Sequence, residues 1–191
     1  MGIFSFFRKK KQEPVDVSQP VEIHTSQELT AFTKSSVWDI KMGLNARLLT
    51  LNRQLKRVVY ANSKSNEPFS IVMEDAQGED IPSLYLVWRG RIPKSLERLP
   101  AVGYNRRLAV LKIHGGGMKI IISFYPDTYT YVQGHAVGLG PSAPKSTSVI
   151  YSQPDETALK SKMTDYFGSW LDDYIKNYLI PQLEISYRPG F

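Results

Sequence analysis

The sequence contains no cysteine and little histidine. Without thiols the chain forms neither a disulfide framework nor a zinc site built from thiolates, and it fits a reducing compartment. The three histidines, His24, His114 and His135, are far apart along the chain, which argues against a site built from imidazoles. We therefore expect no metal site and no cofactor.

Long apolar runs are also missing. No stretch approaches the roughly 18 apolar residues that a membrane-spanning helix needs. The first residues lack the order of a secretory signal, because their positive charges follow the apolar residues instead of preceding them. We expect the protein in the cytoplasm or at the inner face of a membrane.

No complete catalytic motif is present. Residues His114 to Gly117 spell HGGG, which is typical of the oxyanion loop of lipase-like hydrolases. However, no G-x-S-x-G follows, and His135 is the only histidine that comes after the motif. A G-x-x-x-x-G-K-[ST] phosphate loop is absent as well. We predict a protein that is not an enzyme and has no catalytic residues.

The composition is that of a folded, basic protein. The chain has 191 residues, of which 42% are hydrophobic, and this suffices for one domain with its own core. Its net charge of +6 favours acidic partners, namely nucleic acid, anionic lipid or an acidic protein.

Two stretches have the apolar spacing of amphipathic helices. A capping-box pattern from Thr25 to Glu28 predicts a short helix over 26–33, and Ser36 begins a much longer one. The apolar stripe of the long helix consists of Val37, Ile40, Leu44, Leu48, Leu51, Leu55 and Val58.

The other helix begins near Ser152 or Asp155 and ends at Pro181. Its wide aromatic face consists of Leu159, Met163, Tyr166, Phe167, Trp170, Leu171, Tyr174, Tyr178 and Leu179. Such a face is typical of a core, and its width also allows self-association through this C-terminal helix.

The chain between the helices is rich in Ile, Val, Phe and Tyr and predicts strands. The predicted strands are 69–73, 84–88, 106–113, 118–122, 128–132 and 148–151, with a triple-glycine turn at 115–117, a long Gly/Pro/Ser-rich loop at 134–148 and room for a short strand in 181–191. We predict an α+β fold, in which an antiparallel sheet of about five or six strands packs with a long N-terminal amphipathic helix and a C-terminal aromatic helix. We expect residues 1–24 to form a flexible basic and aromatic tail and residues 25–191 to form a single domain.

The tail combines apolar and cationic residues. It contains Phe4, Phe6, Phe7, Arg8, Lys9, Lys10 and Lys11. Phenylalanines that enter a bilayer surface beside cations that meet anionic head groups would make a membrane anchor. The alternative is a frayed terminus, or a short helix that docks its phenylalanines onto its own domain.

A second basic cluster lies in the segment 89–107. It contains Arg89, Arg91, Lys94, Arg98, Arg106 and Arg107, against a single acidic residue, Glu97. The cluster predicts a patch for phosphates, with Tyr104 available to stack on a base. The alternative is an irregular surface connection whose arginines pair with acidic neighbours.

One short motif implies a specific partner. Pro141, Ser142, Ala143 and Pro144 spell PSAP, which resembles the P-[ST]-A-P late motif by which matrix and Gag proteins of enveloped viruses recruit host budding machinery. The basic charge and the cationic tail with its apolar tip also resemble a small matrix protein. The resemblance implies a protein partner at this Pro-rich loop. Late motifs commonly lie in N-terminal tails, whereas this one lies between predicted core elements, and the same residues also fit a simple turn.

These observations leave two hypotheses. The first is a non-enzymatic peripheral-membrane or assembly protein of matrix type, which binds anionic membrane through its tail and a partner through the Pro-rich loop. The alternative is a cytosolic binding module that uses the segment 89–107 for nucleic acid or an acidic protein.

Overall fold

The computed structural model describes residues 26–62, 68–76, 78–116, 119–127, 130–132, 135–137, 145–150 and 156–186. An antiparallel sheet with helices on one face confirms the predicted α+β class. The elements in chain order are α1 (Ser26–Asn62), β1 (Phe69–Asp75), β2 (Ser83–Gly90), a 3₁₀ turn (Lys94–Leu96), β3 (Ala101–Val102), β4 (Asn105–Gly116), β5 (Lys119–Pro126), β6 (Thr130–Val132), β7 (His135–Val137), β8 (Lys145–Ile150), α2 (Glu156–Tyr174), a π-helical turn (Ile175–Leu179) and α3 (Ile180–Ser186).

The main sheet has the strand order β1-β2-β4-β5-β8, and the short β3 pairs with β4. The strand predicted at 128–132 exists as β6, but it pairs with β7 in a separate two-stranded sheet. It cannot join the central hairpin because β8 takes the free side of β5. The prediction of one long loop over 134–148 is therefore wrong, since β7 and the start of β8 fall within it.

The central hairpin differs from the prediction at its glycines. Gly115 and Gly116 belong to β4 and lie opposite Ile120 and Lys119 of β5. Glycine continues a strand where no side chain has to pack. The predicted turn is therefore wrong for Gly115 and Gly116, and its third glycine, Gly117, lies outside the described residues.

The two predicted N-terminal helices are one helix. The hydroxyls of Ser35 and Ser36 donate hydrogen bonds to the carbonyl of Phe32, at 2.9 and 2.8 Å. Serines bonded back to the preceding turn stay inside a helix, so Ser36 does not begin a new one. Most of the predicted stripe is buried, but Val59 is buried where Val58 was predicted. Both positions fit the helical period, and the packing selects Val59.

The C-terminal helix does not end at Pro181. The π-helical turn lets the amide of Ile180 donate to the carbonyl of Ile175, five residues back. This wider turn accommodates a proline, which has no amide hydrogen and whose ring would clash with the carbonyl four residues back. The residues from Pro181 to Ser186 are helical and contain no strand, and the rest of the segment 181–191, for which a short strand was predicted, lies outside the described residues. Leu159, Met163, Phe167, Leu171, Tyr174 and Leu179 are buried, so most of the predicted aromatic face is core.

Two glycines let α1 and α2 approach closely. A Cβ atom at Gly43 would lie 3.0 Å from the methyl group of Thr164, and one at Gly168 would lie 2.7 Å from Nη1 of Arg47. The space beside Gly168 lets Arg47 cross α2 and donate to both carboxylate oxygens of Asp172, at 3.1 and 2.5 Å. This contact fixes one side of α1.

Two asparagines of α1 fix its other side against the edge strand β1. The side-chain amide of Asn52 accepts from the backbone N–H of Ile71 at 2.7 Å and donates to the carbonyl of the same residue at 2.8 Å. Asn45 pairs with Met73 in the same manner, at 2.9 and 3.4 Å. These amides therefore replace the missing neighbour of an edge strand.

We predict that Asn52→Ala lowers the free energy of unfolding by about 1–3 kcal/mol, because it leaves a backbone donor and acceptor of β1 without partners. Gln54→Ala removes an exposed amide from the same helix and is the matched control. Urea unfolding of both variants measures the difference. An equal effect of the two substitutions would contradict the edge-capping role.

Candidate membrane-contacting surface

Three large apolar side chains of α1 lie in solvent. Trp38 is 63% exposed, Met42 is 50% exposed and Leu49 is 64% exposed. Their spacing of four and seven residues places them on one side of the helix. Arg47, which contacts α2, lies on the opposite side of the helix, and the asparagines that contact β1, Asn45 and Asn52, lie at one margin of the stripe. The apolar stripe therefore points away from the fold.

Cations continue this stripe at both ends. Lys34 precedes Trp38 by one turn, Arg53 follows Leu49 by one turn, and Arg57 follows Arg53; all three cations are exposed. We call the six residues Lys34, Trp38, Met42, Leu49, Arg53 and Arg57 the outer α1 surface.

Acidic residues are few on α1 itself, but Lys34, at one end of the outer α1 surface, lines a pocket together with Asp75, Glu79 and Asp80. Between residues 31 and 61 the sole carboxylate of α1 is Asp39, which accepts a hydrogen bond from Lys160 of α2 at 2.6 Å. The outer α1 surface therefore combines three exposed apolar side chains with three exposed cations.

The polar crevice between α1 and α2 has a structural role. It encloses about 460 Å³ and is lined by Asp39, Glu156 and Lys160, among others. Burial alone would lower the pKa of Lys160, but hydrogen bonds with Asp39 and Glu156 raise it overall. Lys160 therefore remains a cation that joins the two helices.

The basic segment 89–107 does not form one continuous patch. Arg107 lies on the sheet face that points away from the helices, over the ring of Tyr85 at 5.2 Å. Its Nε donates to Asp127 at 2.7 Å, and this hydrogen bond raises the pKa of Arg107. Arg89 pairs with Glu74 at 2.7 Å.

The other cations of the segment lie elsewhere. Arg106 lies opposite Trp88 of β2 and therefore on the helical side of the sheet, half-buried. Arg91, Lys94 and Arg98 are exposed in the connection between β2 and β3. The structure thus divides the predicted cluster between two faces and one connection.

Tyr104 is the most accessible aromatic residue of this segment. It lies in the two-residue turn between β3 and β4 and is 99% exposed. Gly103 precedes it with φ of 58°, a conformation that favours glycine and allows the tight reversal.

The predicted membrane-binding residues Phe4, Phe6, Phe7, Arg8, Lys9, Lys10 and Lys11 and the PSAP residues Pro141, Ser142, Ala143 and Pro144 lie outside the described residues. Within the described residues, no helix is long and apolar enough to cross a membrane. In that same part of the chain, no group of three or more His, Asp or Glu side chains could hold a metal ion.

The sequence-based predictions missed the outer α1 surface. They followed the apolar stripe that is buried and assigned no role to the other sides of the helix. The signal that was available is the placement of Trp38, Met42 and Leu49 outside the buried stripe of a helix whose other outward residues are polar or small.

No family model, no curated protein and no solved structure matches this chain.

We predict that Leu49→Ala changes the free energy of unfolding by no more than about 0.5 kcal/mol, because the side chain packs against little of the fold. Leu44→Ala, on the buried side of the same helix, is expected to cost about 2–5 kcal/mol. Thermal and urea unfolding test both values. A large loss for Leu49→Ala would mean that this residue belongs to the core and not to a free surface.

Proposed function

We propose that this protein is a non-enzymatic peripheral-membrane or assembly protein of matrix type, which binds anionic membrane through its N-terminal tail and the outer α1 surface. The observation that supports this proposal is the exposed apolar stripe of Trp38, Met42 and Leu49 with cations at its ends. Such side chains enter the boundary between head groups and acyl chains, while the cations remain at the head groups.

The order of the chain supports a joint action of both parts. The basic cluster Arg8–Lys11 precedes α1 by 14 residues, which include Glu13, Asp16 and Glu22, so the tail and the outer α1 surface are separate cationic parts of the same N-terminal region. Each basic residue near an acidic leaflet contributes about 1 kcal/mol. Like charge disfavours docking of the Arg8–Lys11 cluster onto Arg53 and Arg57, whereas an anionic lipid surface attracts both groups of cations.

The PSAP segment fits the assembly part of the proposal. Pro141–Pro144 directly precedes β8, the outermost strand of the main sheet. A protein partner at this loop would engage an extended proline segment.

The membrane proposal predicts that the full chain sediments with acidic vesicles and much less with neutral ones. Trp38→Ser combined with Leu49→Ser is expected to weaken this binding at least about tenfold, because it removes two inserting side chains. Tyr166→Ser removes a partly exposed aromatic residue of α2 and is the matched control. Deletion of residues 2–11 in the otherwise unchanged chain measures how much of the vesicle binding depends on the tail.

Trp38 also provides a local signal. We expect its fluorescence to shift to the blue when acidic vesicles are added, and Trp38→Phe should abolish most of the shift, since Trp88 is fully buried and Trp170 is partly buried against the core. Equal sedimentation of the double variant and the wild type, with no spectral shift, would contradict a role of the outer α1 surface in membrane binding.

The exposure of Tyr104 favours a second candidate function, a binding module for single-stranded nucleic acid at the β3–β4 turn. An exposed ring beside the arginine-rich connection is a feature of stacking sites for bases.

This function predicts oligonucleotide binding that weakens steeply with salt and falls about tenfold in Tyr104→Ala, measured by fluorescence anisotropy. Arg107 is left unchanged in this experiment, because its replacement would also break the ion pair with Asp127. Binding that is insensitive to salt and to Tyr104→Ala would contradict the second function.

A further inference from the structure

The two outer strands of the main sheet are β1 and β8, and their free edges differ. The edge of β1 is closed, because Asn52 and Asn45 pair with the backbone of Ile71 and Met73. The free edge of β8 has to be identified from the hydrogen-bond pattern of the sheet.

The direction of the β8 backbone groups follows from one hydrogen bond. The amide of Asp127 donates to the carbonyl of Leu108 at 2.8 Å, which makes these two residues a hydrogen-bonded pair between β5 and β4. Backbone groups alternate in direction along an antiparallel strand. The even-numbered residues of β5 therefore bond to β8, where their partners are Lys145, Thr147 and Val149. The amides and carbonyls of Ser146, Ser148 and Ile150 consequently point away from the sheet.

These outward groups have no backbone or side-chain partner among the described residues. Ser146 and Ser148 are exposed, so the edge is accessible from solvent. Sheets usually protect such an edge with charges, proline or a covering element. The lysine of β8 does not serve this purpose, because the amino group of Lys145 forms an ion pair with Asp173 of α2.

We propose that β8 pairs with β8 of a second copy of this chain, in antiparallel direction about a twofold axis at Ser148. In this register Ser148 lies opposite its own copy, and Ser146 lies opposite Ile150, so each outward-pointing amide and carbonyl gains a partner. Two copies of this strand place no like charges opposite each other near the axis, because the strand carries serine and threonine there. A symmetric contact of this kind closes at two copies.

The twofold axis stands perpendicular to the sheet, so it joins the two sheets into one. The helical layers of both copies then lie on the same side of the joined sheet. The pairing does not depend on the membrane function proposed above, and it is tested without lipid.

Ser148→Pro is the first test. Proline removes an amide that points outward, and edge strands tolerate it in that position. We expect wild-type protein to dimerise with rising concentration in sedimentation velocity, and Ser148→Pro to remain monomeric with an unchanged circular dichroism spectrum. Ser148→Lys is a second variant, which keeps the strand intact and places like charges opposite each other at the axis. Gln54→Lys adds the same charge away from the edge and should dimerise like the wild type.

A cross-link tests the register. The chain has no cysteine, so Ser148→Cys introduces a single thiol. Hydrogen-bonded residues of antiparallel strands have Cα atoms about 5.5 Å apart, within the range of a disulfide. We expect Ser148→Cys to form a covalent dimer on oxidation much faster than Gln54→Cys. Two outcomes would overturn the proposal: a wild-type chain that stays monomeric up to its highest soluble concentration, or cross-linking of Ser148→Cys no faster than that of Gln54→Cys. In either case the edge of β8 would be available to an extended peptide of another protein or to other residues of this chain.

Discussion

The position of α1 along the edge of β1 is the constraint on which the rest of the structure depends. An edge strand has backbone groups that need partners, and Asn45 and Asn52 supply them from a helix. The two asparagines are seven residues apart, two turns of α1, and they meet residues two apart in β1. Together with the buried leucines and the pair of Arg47 with Asp172, they leave α1 one possible rotation.

This rotation decides which residues of α1 reach solvent. Once three sides of the helix contact the sheet edge, the core and α2, the remaining side carries Trp38, Met42 and Leu49. Burial of these side chains against the fold is excluded by the same contacts that stabilise it. An apolar surface that the described residues leave uncovered is the kind of feature that marks an interaction site.

Much of the architecture was predictable, because apolar periodicity reports local structure directly. The buried stripe of Ile40, Leu44 and Leu48 and the strands of the central hairpin were found in this way. The errors occurred where local signals are ambiguous. Ser36 was read as a helix start and Pro181 as a helix end, yet a hydroxyl bonded to Phe32 and a π-helical turn keep both inside helices. For the site, residue type alone could not separate outward apolar residues from core residues.

The sequence by itself determined the class of the fold, the positive charge and the absence of thiol chemistry, because these follow from composition and from periods of two and 3.6 residues. The tertiary structure alone decided which charges are already paired. Arg89 and Arg107 lie near each other in a basic stretch, but their partners, Glu74 and Asp127, come from other strands and loops. It also decided which edge of the sheet is closed. That property depends on contacts between residues distant in sequence, which no local pattern contains.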